Sequence, residues 1–284
     1  MDIAKPSKTK ELLNRHDLQL KKSLGQNFLV DNEILDRIVT LANVTEEDTV
    51  IEIGPGIGSL TQKLAEKAGK VVSVEVDQRL EDVLEETLNE YDNTEVVFGD
   101  ALEVDFDDLV DGQYKIVANL PYYITTPIVM RLLEEKFNVE QIVFMVQKEV
   151  AERMVASPGG KDYGVLSIGI QFHTTAEILF NVPPNVFIPQ PKVDSSVVSL
   201  DVLEEPPVEV VSEEFFFKIV NAGFQQRRKT IRNSLSKAAN INLSRDLVDR
   251  ALEMVDIDSR RRAEKLNLEQ FAALSNQIYE LFYK

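Results

Sequence analysis

The tetrapeptide Asn119-Leu120-Pro121-Tyr122 has the residue types needed to hold and activate a planar amine. An exocyclic amino group on a flat heterocycle is a poor nucleophile, because its lone pair is delocalised into the ring. If the Asn119 side-chain oxygen and the Leu120 carbonyl each accept one of its hydrogens, the nitrogen is drawn toward tetrahedral geometry and its lone pair can be aimed. Pro121 fixes its own φ and has no N–H to interfere. Tyr122 offers a ring on which an extruded base can stack, worth ~1–3 kcal/mol. Such chemistry is mostly positioning for an in-line displacement and needs neither a metal nor an activated base. Taken alone, N-x-P-Y is equally a strand that ends in a proline turn with an aromatic plug, so its surroundings decide its meaning.

Three further features sit at the ends of predicted strands. Glu52-Ile53-Gly54-Pro55-Gly56-Ile57-Gly58 lets the backbone turn tightly and approach a ligand at the start of the following helix. Its spacing is G-x-G-x-G rather than the G-x-G-x-x-G of dinucleotide folds. Glu75 ends the next strand, where a carboxylate can accept both ribose hydroxyls. Gly99-Asp100-Ala101 ends the third, where Asp100 could accept from an adenine amino group. Each acid alone reads as a solvated strand end; three such elements on consecutive strands read as a nucleoside site.

These residues need a frame, and the hydropathy pattern supplies one. TVIEIG (49–54), KVVSVEV (70–76), TEVVFGD (94–100), YKIVANL (114–120) and QIVFMVQ (141–147) read as buried strands. Helical spacing intervenes over 59–67 and 78–91, and Pro127 suits a first helical turn before IVMRLLEEKF. Strands separated by helical lengths imply βαβ units, a mainly parallel sheet and a ligand site at the strands' C-terminal ends. TAEILFNV (175–182) and SSVVSLDVL (195–203) add two strands that could pair antiparallel at one edge. The acidic, proline-bearing stretch 204–211 reads as a linker, and beyond it only helical periods remain. The expected division is a basic N-terminal segment 1–25, an α/β body 26–203, the linker, and a small all-helical domain 212–284.

Composition narrows the chemistry. The 284 residues include no Cys, no Trp and two His, which removes thiol nucleophiles, disulfides and cysteine-based zinc sites. A His-rich metal site is excluded too, and neither His16 nor His173 has the setting of a Ser-His-Asp triad. The longest stretches free of charged residues, 163–176 and 178–191, fall short of the ~20 apolar residues of a membrane span. The N-terminus has no apolar core of the signal-peptide kind, so a cytoplasmic protein is expected.

In combination, E-x-G-x-G, an acidic second-strand end, Gly-Asp on the third strand and N-L-P-Y on the fourth resemble class I S-adenosylmethionine-dependent methyltransferases that act on nucleobase amino groups. Four more stretches are more specific: LGQNFL (24–29), QKEV (147–150), FIPQPKVDSS (187–196) and FQQRRKTIRNSL (224–235). With EIGPG and NLPYYITTPI they closely resemble the small-subunit (16S) rRNA adenine N6,N6-dimethyltransferases, from about Lys21 to Gln270. The resemblance implies a Rossmann-like sheet with an antiparallel edge plus the helical domain, S-adenosyl-L-methionine as cofactor with S-adenosyl-L-homocysteine as product, and no metal. It implies four methyl transfers to two adjacent adenosines in a hairpin loop near the 3′ end of 16S rRNA, on an assembling small subunit, by a monomer. Carried over by motif, Gln26, Asn27 and Leu29 would border the methionine part, Gly54 and Gly56 the centre, Glu75 the ribose, and Asp100 and Ala101 the adenine. Asn119 would touch both cofactor and target amine, and Phe187 would sandwich the target base opposite Tyr122. Tyr123 and Thr125 depart from the Asn-Ile-Ser that often follows NLPY in this family. The related 23S rRNA dimethylases typically read N-I-P-Y and lack the arginine-rich helical opening.

A net charge of −17 would argue against an RNA partner, but the charge is unevenly distributed. Residues 26–118 hold 23 acidic and 6 basic side chains, whereas 1–25 carry 6 basic against 3 acidic and 218–284 carry 13 against 8. RNA contacts are therefore expected at the chain ends, from Lys21, Lys22, Arg227, Arg228, Lys229 and Arg232. A DNA adenine methyltransferase would usually add a large recognition domain, and a small-molecule methyltransferase would need neither the base-specific tetrapeptide nor a basic appendage. A non-catalytic assembly factor would not need Glu75, Asp100 and Asn119 intact.

Overall fold

The computed structural model describes residues 3–18, 25–239 and 241–283. The chain divides into two compact units. The first opens with helix α1 (Pro6–Arg15), the two-residue strand β1 (Phe28–Leu29) and α2 (Asn32–Leu41). It continues with β2 (Thr49–Ile53), α3 (Ser59–Ala65), β3 (Lys70–Glu75), α4 (Glu81–Leu88) and β4 (Thr94–Phe98). Next come β5 (Tyr114–Asn119), α5 (Thr125–Glu134), β6 (Val139–Gln147) and α6 (Lys148–Met154), which runs into the second unit. After α7 (Val165–His173), the strands β7 (Thr174–Val182), β8 (Phe187–Ile188) and β9 (Ser195–Val202) return to the first unit.

Seven strands form one sheet in the order β4-β3-β2-β5-β6-β9-β7. The five strands from β4 to β6 run parallel, and β9 lies antiparallel to β6 with Phe144 opposite Val198. Val50, Ile51, Val71, Val72, Ile116, Val117, Ile142 and Val143 are all at most 1% exposed. Parallel strands covered on both faces bury every side chain, which is why they read as unbroken apolar runs. Sequence order runs outward from β2 to β4 and then returns to β5 on the other side of β2. The crevice between β2 and β5 is thus the switch point at which open α/β sheets bind ligands.

The N-terminal segment is more structured than a basic tail. Helix α1 has its own apolar side, and Leu12 and Leu13 join Val83, Leu84 and Leu88 of α4 in one buried cluster. Arg15 and His16 both engage Glu86 on α4. Lys21 and Lys22 lie outside the described residues.

The second unit contains α8 (Glu213–Phe224), α9 (Ile231–Leu235), α10 (Arg245–Met254) and α11 (Leu268–Tyr283). It also takes residues 152–175, which lie within the span 26–203 expected for the α/β body. The reason is apolar: six of the nine residues of α7 are buried, so this helix needs a core on nearly every side. Phe172 stacks on Phe216 at 5.1 Å and 25°, and Tyr163 and Ile168 belong to the same cluster. The 204–211 stretch is anchored too, since Asn276 on α11 donates to the Glu209 carbonyl and accepts from the Val211 N–H. Truncating Phe172 to alanine is expected to cost the helical unit about 3–5 kcal/mol. Urea unfolding followed by helix circular dichroism checks this; an unchanged midpoint would mean that α7 is peripheral.

Candidate active site

The glycine loop after β2 is held by two buried acids. The Glu75 carboxylate accepts from the Gly56 N–H at 3.2 Å and from the Asp77 N–H at 2.8 Å. Burial pushes Glu75 above the usual carboxylate range, and these two donors oppose that shift. Gly56 adopts φ +60, and a Cβ there would lie 2.7 Å from the Phe28 ring, so glycine is required both for the turn and for the close contact. Glu52, 1% exposed, accepts from Thr61 Oγ1 at 2.5 Å and Ser73 Oγ at 2.9 Å. Burial, more than any other cause, pushes Glu52 up to about 7. Glu52 was legible as part of the glycine motif, but its buried, near-neutral titration was not.

The residues Gln26 to Leu29 form a lip over this loop. Asn27 lends its carbonyl to the Asn119 side-chain N–H at 3.1 Å, which leaves Asn119 Oδ1 as that amide's acceptor. Gln26 donates through its side-chain N–H to Asp77 at 2.9 Å, which fixes the amide on the lip. Arg79 holds Asp77 and is the main cause of its lowered pKa. Leu29 is 3% exposed and belongs mostly to the core.

Opposite the lip, β5 ends in the tetrapeptide. Leu120 donates its N–H to the Met145 carbonyl at 3.2 Å, continuing the ladder. The Pro121 carbonyl accepts from the Ile124 N–H and from Thr125 Oγ1, so the hydroxyl at 125 closes the turn. Tyr122 Oη and Ser195 Oγ are 2.7 Å apart, which ties the ring to the first residue of β9. On the β4 side, Asp100 is exposed and accepts from the Leu102 N–H, while Arg131 braces the Ala101 and Val104 carbonyls at 2.8 Å each.

These elements enclose one cavity of about 200 Å³ at the switch point. Gln26, Asn27 and Leu29 line it from the lip, and Gly54, Gly56 and Glu75 from the first two strand ends. Asp100, Ala101 and the residues from Asn119 to Tyr122 close the other side. Phe187 does not line it. Through the pairing of β1 with β8, Leu29 lies opposite Phe187, whose ring is 3% exposed within the apolar cluster. Phe187 thus packs in the apolar cluster beside the lip, outside the cavity lined by the cofactor-site residues.

In the helical unit, Arg228 and Lys229 are exposed on the turn between α8 and α9. Arg227 donates to the Lys161 carbonyl, and Arg232 is paired with Asp249 on α10. The pair holds Arg232 half-buried against α10. The run Arg260-Arg261-Arg262 comes beside this turn, because the Ile231 N–H donates to the Arg261 carbonyl at 2.7 Å. Its three adjacent arginines were the available signal, and distance along the chain hid their neighbours.

The ribosomal RNA adenine dimethylase family model matches residues 17–280. The chain belongs to that family. It is 51% identical to the ribosomal RNA small subunit methyltransferase A of Bacillus licheniformis over 99% of this chain and 98% of that one. A dimethyladenosine transferase from Plasmodium falciparum superposes with TM-score 0.75 at 29% identity, covering 87% of this chain and 95% of its own. The 23S rRNA methyltransferase ErmE gives TM-score 0.67 at 29% identity over 89% and 99%. This rRNA adenine dimethylase is thus a methyltransferase on a Rossmann-like sheet with one antiparallel edge. No helix of the described residues is long and apolar enough to cross a membrane.

Because Glu52 titrates higher folded than unfolded, its contribution is present below its unfolded value and is lost as pH rises toward 7. Glu52→Gln, which keeps an acceptor for Thr61 and Ser73, is expected to gain stability over wild type between pH 5 and 8. The difference should approach about 3 kcal/mol. Urea midpoints across that range test it, and a pH-independent difference would remove Glu52 as the titrating group.

Proposed function

We propose that this enzyme converts two adjacent adenosines in a hairpin loop near the 3′ end of 16S rRNA to N6,N6-dimethyladenosine, acting as a cytoplasmic monomer on the assembling small subunit. The observation that carries this reading is the Asn119–Asn27 hydrogen bond. It orients the amide so that an acceptor oxygen, not a donor, remains for an amine at the cavity. The small-subunit methyltransferase similarity over nearly the full chain supports the choice of RNA.

The cavity fits S-adenosyl-L-methionine by the chemistry of its donors and acceptors. Glu75 uses its carboxylate on two N–H groups and keeps further lone pairs for ribose hydroxyls. Asp100 stands exposed at the next strand end for an adenine amino group, and Gly54 and Gly56 allow close backbone approach. The bound cofactor supplies an electrophilic methyl on a sulfonium sulfur and leaves as S-adenosyl-L-homocysteine.

The protein's part is orientation. Asn119 Oδ1 and the Leu120 carbonyl accept the two N6 hydrogens of an extruded adenine and pull that nitrogen out of conjugation. Tyr122, its hydroxyl held by Ser195, gives the base a fixed ring to stack on. After one methylation a single N6 hydrogen remains, so one acceptor suffices for the second round. Neither round asks for a strong base, since the alkylated amine is acidic and loses its proton readily. Arg227, Arg228 and Lys229 contact phosphate, and Arg232 contributes mainly through Asp249.

Asn119→Ala is expected to abolish methyl transfer to immature small subunits while the chain stays folded. Labelled methyl incorporation and circular dichroism measure both, and near-normal turnover would refute the positioning role. Incorporation only into large subunits or DNA would refute the substrate. Neutralising Arg228 and Lys229 should lower the salt slope of RNA binding by about one for each phosphate no longer neutralised, with less change for Arg232→Ala. Equal slopes for all variants would place the RNA elsewhere.

A further inference from the structure

Beside the tetrapeptide stands an aromatic side chain that the mechanism above does not use. Tyr123 is 54% exposed, yet it lines the active-site cavity. Its ring lies against the lip at Gly25, where a Cβ would come within 3.2 Å of Cδ1 and 3.5 Å of Cε1. Gly25 has φ +59, so any side chain there would be strained as well as crowded against the ring. The phenol shares the cavity with the two strand-end acids and is within their electrostatic reach. Burial raises its pKa first, and the charges of Asp100 and then Glu75 add to that. The ring therefore lies against the lip and lines the same cavity as Asp100 and Glu75, the carboxylates assigned to adenine and ribose.

Its neighbour Tyr122 is placed differently, with its hydroxyl tied to Ser195 at the start of β9. Two adjacent tyrosines thus bracket the end of β5, one anchored toward β9 and the other set against the lip at the cavity. A half-exposed ring beside two carboxylates leaves apolar surface in water. Covering a flat ligand removes water from both surfaces.

We propose that Tyr123 is a cofactor-covering residue whose ring closes over the adenosine half of S-adenosylmethionine. The proposal rests on the cavity being the site of that cofactor, and it assigns Tyr123 to cofactor retention and not to packing of the target base.

Calorimetric titration of the full chain with S-adenosyl-L-homocysteine tests it without any turnover. Tyr123→Ala is expected to weaken binding about three- to tenfold, while Tyr123→Phe, which keeps the ring, stays within about twofold of wild type. 5′-Methylthioadenosine, which lacks the amino-acid end, should show the same ratio between wild type and Tyr123→Ala. Loss of that ratio would move the ring to the methionine end and overturn the assignment. An unchanged affinity in Tyr123→Ala, including the case in which only the KM for RNA rises, would overturn the proposal alone. A wild-type chain that binds no S-adenosyl-L-homocysteine would overturn the cofactor reading and this proposal with it.

Discussion

The Glu75 carboxylate, 5% exposed, accepts the backbone N–H groups of Gly56 and Asp77. A carboxylate taken out of water must find donors or give up its charge. Backbone N–H groups are the least mobile donors a protein has, so satisfying the acid also immobilises the loop that supplies them. The glycine loop is thereby stapled to the end of β3 before any ligand arrives. Glu52 repeats the device one strand over, drawing Thr61 of α3 and Ser73 of β3 onto the same oxygen. Glu75 adds to the ionisation cost of Glu52, and the hydrogen bonds that link loop, helix and strand make the crevice a rigid cradle instead of a flexible turn.

That cradle is finished by residues distant in sequence. The lip reaches it through three contacts of different kinds: a carbonyl on Asn119, an amide on Asp77, and the Phe28 ring over Gly56. The lip is in turn fixed by the two-residue ladder between β1 and β8. Asn119 is therefore oriented by a segment 92 positions earlier, and the tetrapeptide is only half of its own machinery. A neutral amide orients cheaply in this way, because its N–H can be satisfied by protein while its oxygen stays available. An acid at the same place would have no hydrogen to give to Asn27.

The central strands were readable because burial on both faces leaves unbroken Val and Ile runs, and their ends then located Gly54, Glu75, Asp100 and Asn119. What could not be read depended on partners, since sequence reveals what a side chain is capable of and not what already occupies it. Gln26 donates to Asp77, Arg232 pairs with Asp249, and Phe187 packs in the core with Leu29, contacts that no local motif announces. The pair of two-residue strands is too short to leave any period. Helix α7 escaped for a related reason: an element apolar on nearly all sides carries no amphipathic signature, and its partners Phe216 and Ile219 lie beyond the linker. The composition change near Leu203 marks where the helical unit resumes. Nothing in composition marks the earlier excursion at 152–175.

Charge can be followed to the same depth. In the strongly acidic stretch 26–118, Lys63, Lys70, Arg79 and Lys115 each face a carboxylate of the body itself. Arg37 lies 4.0 Å over the Phe180 ring. Basic side chains here therefore relieve acidic neighbours or pack, and few remain to meet a polyanion. Around α9, Arg228 and Lys229 stand exposed, whereas Arg232 pairs with Asp249, Arg260 with Asp258 and Arg262 with Glu264. Under the proposed RNA reading, the acidic stretch repels a phosphate backbone and Arg228 and Lys229 are exposed cations that attract it. Such a distribution discriminates by orientation more than by total charge. Under the proposed reading, net −17 is compatible with an RNA substrate because local charge, and not the total, decides where phosphate is tolerated.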